Sequence, residues 1–163
     1  MRLMWIALFT LISSLHAQTI DSWKRLDFLL GQWTGVAGEK AAPQGPGQGA
    51  FSFTPELSEK IIVRRNNAQF DSGASHGDLM VIYRDAPEDG PRAIYFDSEG
   101  HVIRYKAAFP SEKRVVFESD GTQPGPKYRL TYWMDGAQLK GQFEVAPPGK
   151  EYQTYLQWGS VKK

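Results

Sequence analysis

The chain has 163 residues, a formal net charge of +1 and no cysteine. Without cysteine it cannot contain a disulfide, a thiolate metal site or a cysteine nucleophile. Its lysines and arginines are dispersed along the sequence, so we predict no basic face of the kind that binds nucleic acid. Aromatic residues make up 13% of the chain, which is typical of a β-rich protein with a large internal surface.

The first 17 residues have the three-part layout of a secretory signal peptide. A basic start at Met1-Arg2 is followed by an apolar run from Leu3 and then by small and polar residues that end at Ala17. The apolar run is too short to cross a bilayer of roughly 30 Å as a helix, and a retained membrane anchor is the alternative interpretation. We therefore expect residues 1–17 to be a cleaved signal peptide and residues 18–163 to form one domain. The protein is then exported to a bacterial periplasm or to the medium, with no membrane span after cleavage.

The domain begins with one predicted short helix. The stretch "IDSWKRLDFLLGQW" offers Asp21 or Ser22 as the helix cap, and apolar residues follow at roughly helical spacing up to Leu30. Gly31 can end this helix in the left-handed conformation. The following Gly/Pro-rich stretch "KAAPQGPGQG" is predicted to be a loop without regular structure.

From Gly49 onward, apolar residues alternate with the period of β-strands in segments such as "AFSF", "DLMVIYR", "RAIYFD" and "KYRLTYWM". Turn signals such as Glu99-Gly100 and Asp135-Gly136 separate these segments. The pattern predicts an all-β fold: a single antiparallel up-and-down meander of about 8–10 strands, with the helix at one end. We expect the meander to close into a barrel, because closure removes exposed strand edges and leaves room for a small ligand. A β-sandwich with a filled core is the alternative.

The stretch "LDFLLGQWTGVAGE", residues 26–39, resembles the entrance of calycin-type barrels, which include lipocalins and fatty-acid-binding proteins. In those proteins a short helix closes one barrel end and Gly-x-Trp begins the first strand; Gly31 and Trp33 match these two positions. The resemblance implies a lipocalin-like barrel in which Trp33 is a structural plug, most similar to bacterial exported domain families with a nitrobindin-like barrel. Nitrobindin-type haem binding uses a histidine from a late strand, whereas "QLKGQFEVA" and "YQTYLQWGSV" contain none. We therefore predict no cofactor.

Two arginines in the middle of a predicted strand, Arg64 and Arg65 in "VRRNN", are the strongest indication of ligand class. An inward arginine is costly unless it is paired, so it requires a carboxylate from Asp78, from Asp97 or from an acidic ligand. Such an arrangement is similar to the way fatty-acid-binding barrels hold a carboxylate head group.

A second set of candidates lies in "SHGDLMVIY" and "HVIRYKA". His76 and Asp78 are two residues apart and share a strand face, and His101 shares a face with Tyr105. We expect His101 and Tyr105 to point into the barrel, because the charged Arg104 and Lys106 on the other face of the strand belong in water. The predicted ligand-binding residues are Arg64, Arg65, His76, Asp78, Tyr83, His101 and Tyr105.

In "RAIYFD", hydrophobic bulk favours Ile94 and Phe96 on the inside, which would leave Tyr95 and Asp97 outside. The opposite assignment stays open, since the interior of a ligand-binding barrel can be the more polar side. Asp97 can alternatively hold the following turn together through bonds to backbone N–H groups.

These residues lead to three hypotheses for function. The first is an exported barrel that binds a small apolar or amphipathic molecule in its interior, with acids among the candidate ligands. The second is an enzyme on the same barrel, an isomerase, cyclase or hydrolase that uses His101 or His76 with Asp78 and a tyrosine. The third is a filled barrel that acts through protein–protein contact at its Pro/Gly-rich loop. No catalytic motif is recognised, no metal is predicted because His76, Asp78 and His101 lack a recognised ligand spacing, and the oligomeric state is left open.

Overall fold

The computed structural model describes residues 21–40, 45, 47–86, 89–122 and 124–163. The predicted signal peptide and residues 41–44 and 46 of the Gly/Pro-rich stretch lie outside these residues. Lys40 and residues 47–49 of that stretch belong to strands, not to the predicted loop. The described elements are one 3₁₀ helix and ten β-strands. Their bounds are 3₁₀ helix Lys24–Leu29, β1 Gly31–Lys40, β2 Gly47–Glu56, β3 Ile61–Phe70, β4 Ser75–Tyr83, β5 Arg92–Asp97, β6 Val102–Ser111, β7 Arg114–Ser119, β8 Lys127–Asp135, β9 Gln138–Ala146 and β10 Gln153–Lys162.

The ten strands form one closed antiparallel barrel, which confirms the predicted fold class. Each strand pairs with its neighbours along the chain, and β1 closes the barrel by pairing with β10. Trp33 lies opposite Lys162 at this closure and opposite Phe51 on β2. Because all strands are joined in sequence order, the barrel is an up-and-down meander.

The N-terminal helix closes one end of the barrel. Its Leu26 and Leu29 are fully buried, and the indole Nε1 of Trp33 donates a 2.8 Å hydrogen bond to the Leu29 carbonyl. Trp33 is only 2% exposed, as expected for a plug. Asp21 accepts the backbone N–H of Trp23 at 3.0 Å, and Gly31 does not cap the helix but begins β1 with φ = 126°. Within the described part of the chain, no helix is long and apolar enough to cross a membrane.

The half of the barrel next to the helix is filled with large side chains. Phe53 packs edge-to-face with Tyr132 at a ring-centroid distance of 5.4 Å and with Phe51 at 6.0 Å. Tyr105 packs in the same way against Phe117 at 6.4 Å. The opposite end of the barrel is formed by the turns at residues 71–74, 98–101, 120–122 and 124–126, and 147–152; we call this the open end and the half of the barrel next to it the open half.

The expected inward position of Ile94 and Phe96 is wrong. Phe96 is 42% exposed, whereas Tyr95 lies opposite the fully buried Met80 and therefore points inward. Asp97 lies on the same inner face, with a side chain that is 6% exposed. The physical reason is that this part of the barrel interior is polar, so hydrophobic bulk does not identify the inner face here.

Candidate functional site

A buried ion pair between Arg64 and Asp78 lies on the inner face of β3 and β4. Their side chains are only 6% and 4% exposed, and an Arg64 Nη1 atom contacts Asp78 Oδ1 directly. Asn66 adds a 2.8 Å hydrogen bond from its amide to Asp78 Oδ2. Strand alternation places these groups together, because Asn66 is the register partner of Asp78 and lies two residues from Arg64. The carboxylate that an inward arginine requires is therefore Asp78, one of the partners considered from the sequence.

Two buried donors beside this pair lack an acceptor: Nε of Arg64 and the O–H of Tyr132. The Tyr132 hydroxyl lies next to the Arg64 side chain, which can donate to the phenol oxygen but cannot accept its proton. Burial raises the pKa of Tyr132, and the charge of Arg64 and the hydrogen bond from its side chain oppose this rise only in part. The phenol therefore stays protonated, and two N–H or O–H donors point at the interior without an acceptor. Leaving a buried donor unpaired costs about 1–3 kcal/mol.

His76 connects the ion pair to the rim of the open end. Its Nε2 lies 3.2 Å from the Tyr95 hydroxyl and 3.3 Å from Asp78 Oδ2, while its Nδ1 lies 2.9 Å from Glu99 Oε2. Burial, together with the nearby Asp97 charge, raises the pKa of Tyr95, so this phenol is also a hydrogen-bond donor. When Nδ1 carries the proton toward Glu99, Nε2 accepts from Tyr95. The result is a continuous polar chain from the rim to the Arg64 guanidinium.

The β5–β6 turn carries a second histidine–carboxylate pair. Asp97 Oδ1 accepts the backbone N–H groups of Glu99 at 3.1 Å and His101 at 2.9 Å, and Oδ2 lies 2.9 Å from His101 Nδ1. Burial alone would raise the pKa of Asp97, but the hydrogen bonds from His101 and Glu99 outweigh it and lower this pKa. Asp97 thus holds the turn together, as its alternative interpretation predicted. The side chain of His101 is 61% exposed, so it lies at the rim rather than in the interior.

An aromatic wall stands opposite the polar residues in the open half. Tyr128 and Phe143 stack at a centroid distance of 5.9 Å and an interplanar angle of 8°, and Tyr155 packs edge-to-face on Phe143 at 6.0 Å. Tyr128 and Phe143 both pack against the core cluster. In the strand order of the closed barrel, β9 lies five strands from β4, which is the opposite side. The open half therefore has one polar wall, on β3–β5, and one aromatic wall, on β8–β10.

A cavity of about 170 Å³ lies at the open end, where β7 stops short of its neighbours. Inward-facing Ile103, Ser119 and Tyr128 line it together with His101 and outward-facing Arg104. Residues from both faces of the sheet therefore line the cavity, as expected where a short strand leaves a gap in the barrel wall. Binding pockets for drug-sized molecules usually measure about 300–1,000 Å³, so this cavity suits only a small group or one end of a ligand.

A larger groove of about 610 Å³ lies on the outer face of β7–β9. Its main charged groups neutralise each other, because Arg129 donates two hydrogen bonds of 2.7 and 2.8 Å to Glu144. Arg114, at its edge, lies 5.2 Å from the centre of the Trp133 ring. Among the described residues that line the groove, no buried donor lacks a partner, unlike in the interior site.

The structure brings together three of the predicted ligand contacts, Arg64, His76 and Asp78. Tyr105 also points inward, as expected, but belongs to the packed core. Arg65 lies on the outer face, with a 2.8 Å bond to Glu56 and a side chain that is 55% exposed. Tyr83 shares that outer face, because it is an odd number of residues from the inward Ile82.

Several residues of the site were not predicted from the sequence. The polar wall also contains Asn66, Tyr95 and Glu99, and the aromatic wall contains Tyr128 and Phe143. A usable signal was present in "KYRLTYWM", where Tyr128, Leu130 and Tyr132 alternate with polar residues. That alternation identifies the side chains of this strand that point inward, but it does not show which strand lies opposite them in the barrel.

Comparisons with known proteins indicate the fold only. No protein-family profile matches the sequence, and no curated protein is significantly similar to it. Among solved structures, 14 chains match. One is the crystal structure of Rv2717c from M. tuberculosis, which is 13% identical, has a TM-score of 0.61 and aligns over 88% of this chain and 98% of that chain. At this identity, the similarity shows that the two proteins share a barrel fold.

Proposed function

We propose that the protein is exported and binds a small amphipathic molecule in the open half of its barrel. The observation that carries the proposal is the pair of buried, unpartnered donors, Arg64 Nε and the Tyr132 hydroxyl. A ligand with a carboxyl or carbonyl oxygen between them would supply the missing acceptor. Because Asp78 already neutralises the arginine, the head group needs to accept hydrogen bonds but needs no full negative charge.

The two walls of the open half support an amphipathic rather than a wholly polar ligand. The polar head would lie between Arg64 on β3 and Tyr132 on β8, while the apolar part would contact the stacked rings of Tyr128 and Phe143. The aromatic packing near the helix limits how deep such a molecule can enter. We therefore expect a ligand of small size, or one whose tail extends from the open end.

We further propose that the barrel is of the calycin type, with a lipocalin-like or nitrobindin-like architecture. The closed meander supports this assignment, as does the short helix that precedes Gly31 and Trp33 at the barrel entrance. Calycin-type barrels commonly hold small molecules inside, which agrees with the position of the site. The signal peptide predicted for residues 1–17 is the basis for proposing export to the periplasm or the medium.

Binding can be tested by titrating the exported protein with 1-anilinonaphthalene-8-sulfonate, an aromatic molecule with an acidic head. Tyr132→Phe removes the unpartnered hydroxyl but keeps the ring, and we expect it to weaken binding about three- to tenfold, the equivalent of one hydrogen bond. Tyr83→Phe, on the outer face, is the matched control and should bind like the wild type. Lack of saturable binding, or equal affinity of Tyr132→Phe and the wild type, would refute the proposal. Native mass spectrometry of the freshly exported protein would identify the ligand that co-purifies.

An enzyme on the same barrel is the second candidate, favoured by the contacts of His76. This imidazole lies between the Glu99 carboxylate and the Tyr95 hydroxyl, an arrangement suited to moving a proton while the tyrosine holds a substrate oxygen. Under this reading, His76→Gln would retain ligand affinity within about twofold but abolish any conversion of the ligand. Recovery of a chemically unchanged ligand after prolonged incubation would instead favour simple binding. If no small molecule binds at all, the third hypothesis, a filled barrel that contacts a protein partner, gains support.

A further inference from the structure

We propose that the β5–β6 turn holds a divalent transition-metal ion through Asp97, Glu99 and His101. One potential ligand atom of each residue lies within 4.8 Å of those of the other two, close enough for a single ion to contact all three. Carboxylate oxygen and imidazole nitrogen together suit Zn²⁺ and similar ions, whereas Ca²⁺ and Mg²⁺ prefer oxygen ligands alone. The proposal concerns the rim of the barrel and does not depend on the ligand proposed for its interior.

The turn holds the three ligands in place through its backbone. Gly100, with φ = 88°, donates its N–H to the Asp97 carbonyl at 3.1 Å, so the five residues form a tight loop. Asp97 Oδ1 is fixed by two backbone N–H groups, which orients Oδ2 toward the His101 ring. Little conformational entropy is then lost when an ion binds, because the first ligand and the turn are already ordered.

Accessibility also fits an ion-binding site. The Asp97 side chain is 6% exposed and anchors the turn, while the side chains of Glu99 and His101 are 44% and 61% exposed. An ion can therefore reach the site from solvent and keep water in its remaining coordination positions. Such an open position is typical of a site with three protein ligands.

A second imidazole distinguishes this cluster from an ordinary acidic patch. His76 comes from the neighbouring strand β4, and its Nδ1 lies 2.9 Å from Glu99 Oε2. It orients Glu99 from behind, a role that carboxylate–imidazole contacts play in many metal sites. Through this contact, the ion site at the rim would be connected to β4.

The prediction that this chain has no metal site rested on a different set of residues. Asp78 pairs with Arg64 in the interior, so His76, Asp78 and His101 do not form a ligand set. The spacing Asp97-x-Glu99-x-His101 does not by itself indicate a metal site. The turn brings the side chains of these alternate residues to one side, where they lie close together.

Isothermal titration of the exported, untagged protein with ZnCl₂ tests this proposal. We expect one Zn²⁺ per chain, with affinity at least tenfold weaker in Glu99→Gln and in His101→Ala. Glu112→Gln, which changes an exposed carboxylate in the β6–β7 turn, is the matched control and should leave the affinity unchanged. Circular dichroism of each variant would show whether the barrel remains folded.

Absence of saturable Zn²⁺ binding would overturn the proposal, as would equal affinity of the wild type, Glu99→Gln and His101→Ala. Displacement of Zn²⁺ by millimolar Ca²⁺ would overturn the assignment to a transition metal. In NMR spectra of the histidine rings, the His101 signals should shift on Zn²⁺ addition, and unperturbed His101 signals would equally contradict the site. Because the 1-anilinonaphthalene-8-sulfonate titration uses no metal, its outcome and this one are distinguishable.

Discussion

The buried ion pair between Arg64 and Asp78 predicts that the two single variants differ in stability. Asp78→Ala leaves the guanidinium, which is 6% exposed, without its carboxylate, and we expect a loss of about 3–5 kcal/mol in the free energy of unfolding. Arg64→Met should cost less, about 1–3 kcal/mol, because Asp78 retains its 2.8 Å bond from Asn66 and its 3.3 Å contact with His76. For a domain of this size, the loss in Asp78→Ala corresponds to a drop in melting temperature of roughly 6–20 °C.

Urea unfolding at pH 7, followed by tryptophan fluorescence, measures these differences. Arg65→Met is the matched control, since its pair with Glu56 lies on the outer face and should contribute at most about 1 kcal/mol. The double variant Arg64→Met/Asp78→Leu should be within about 1 kcal/mol of the wild type or more stable, because it removes both charges from the interior. The reasoning fails if Asp78→Ala is as stable as the wild type, or if the double variant is as unstable as Asp78→Ala.

Three further predictions concern other parts of the barrel. Trp33→Ala should lose about 3–5 kcal/mol of unfolding free energy, since it empties a buried ring site; a wild-type melting curve would contradict the plug. Gly141→Ala should lose about 1–3 kcal/mol in urea unfolding, because a Cβ at this position would lie 2.3 Å from the Trp158 ring; unchanged stability would show that the ring moves aside easily. The hydrogen bond from Arg129 lowers the pKa of Glu144 below its usual 4.5. Its stabilising contribution is therefore complete above pH 4.5 and is lost as the pH falls through the lower folded-state pKa. Glu144→Gln should be less stable than the wild type at pH 7 and converge with it in acid, and a difference that is constant with pH would refute this.

The strands and their closure could be predicted from the sequence because the signals for them are local. Alternation with a period of two and turn pairs such as Glu99-Gly100 identify strands and hairpins, and hairpins in series leave closure as the way to remove both edges. The helix was predicted at the correct place, but its 3₁₀ geometry was not, because apolar spacing over six residues does not separate the two helix types. The role of Gly31 also differed, since it starts β1 where a Cβ would lie 2.6 Å from Lys162 Cε.

The site could be predicted only in part, on the two strands that carry its buried charges. A mid-strand arginine needs a carboxylate, which limited the pair to Arg64 or Arg65 with Asp78, Asp97 or an acidic ligand, and the structure selects Arg64 and Asp78. The inner face of β5 could not be assigned in the same way, because Ile94 and Tyr95 are both compatible with a barrel interior and only the register with Met80 decides between them. The aromatic wall was missed since β9 faces β4 only after the barrel has closed.

The energetics of the polar wall argue for a binding role rather than a purely structural one. A barrel that served only to be stable would gain from apolar residues at Arg64 and Asp78, because two buried charges cost more to desolvate than they return. The unpartnered Tyr132 hydroxyl adds a further cost that phenylalanine would avoid. These costs fall next to the aromatic packing, since Tyr132 contacts Phe53 and the Arg64 guanidinium lies 5.3 Å from the centre of the Phe51 ring. A ligand that accepts hydrogen bonds from both donors would offset them, so the variants that stabilise the empty barrel should be those that bind least.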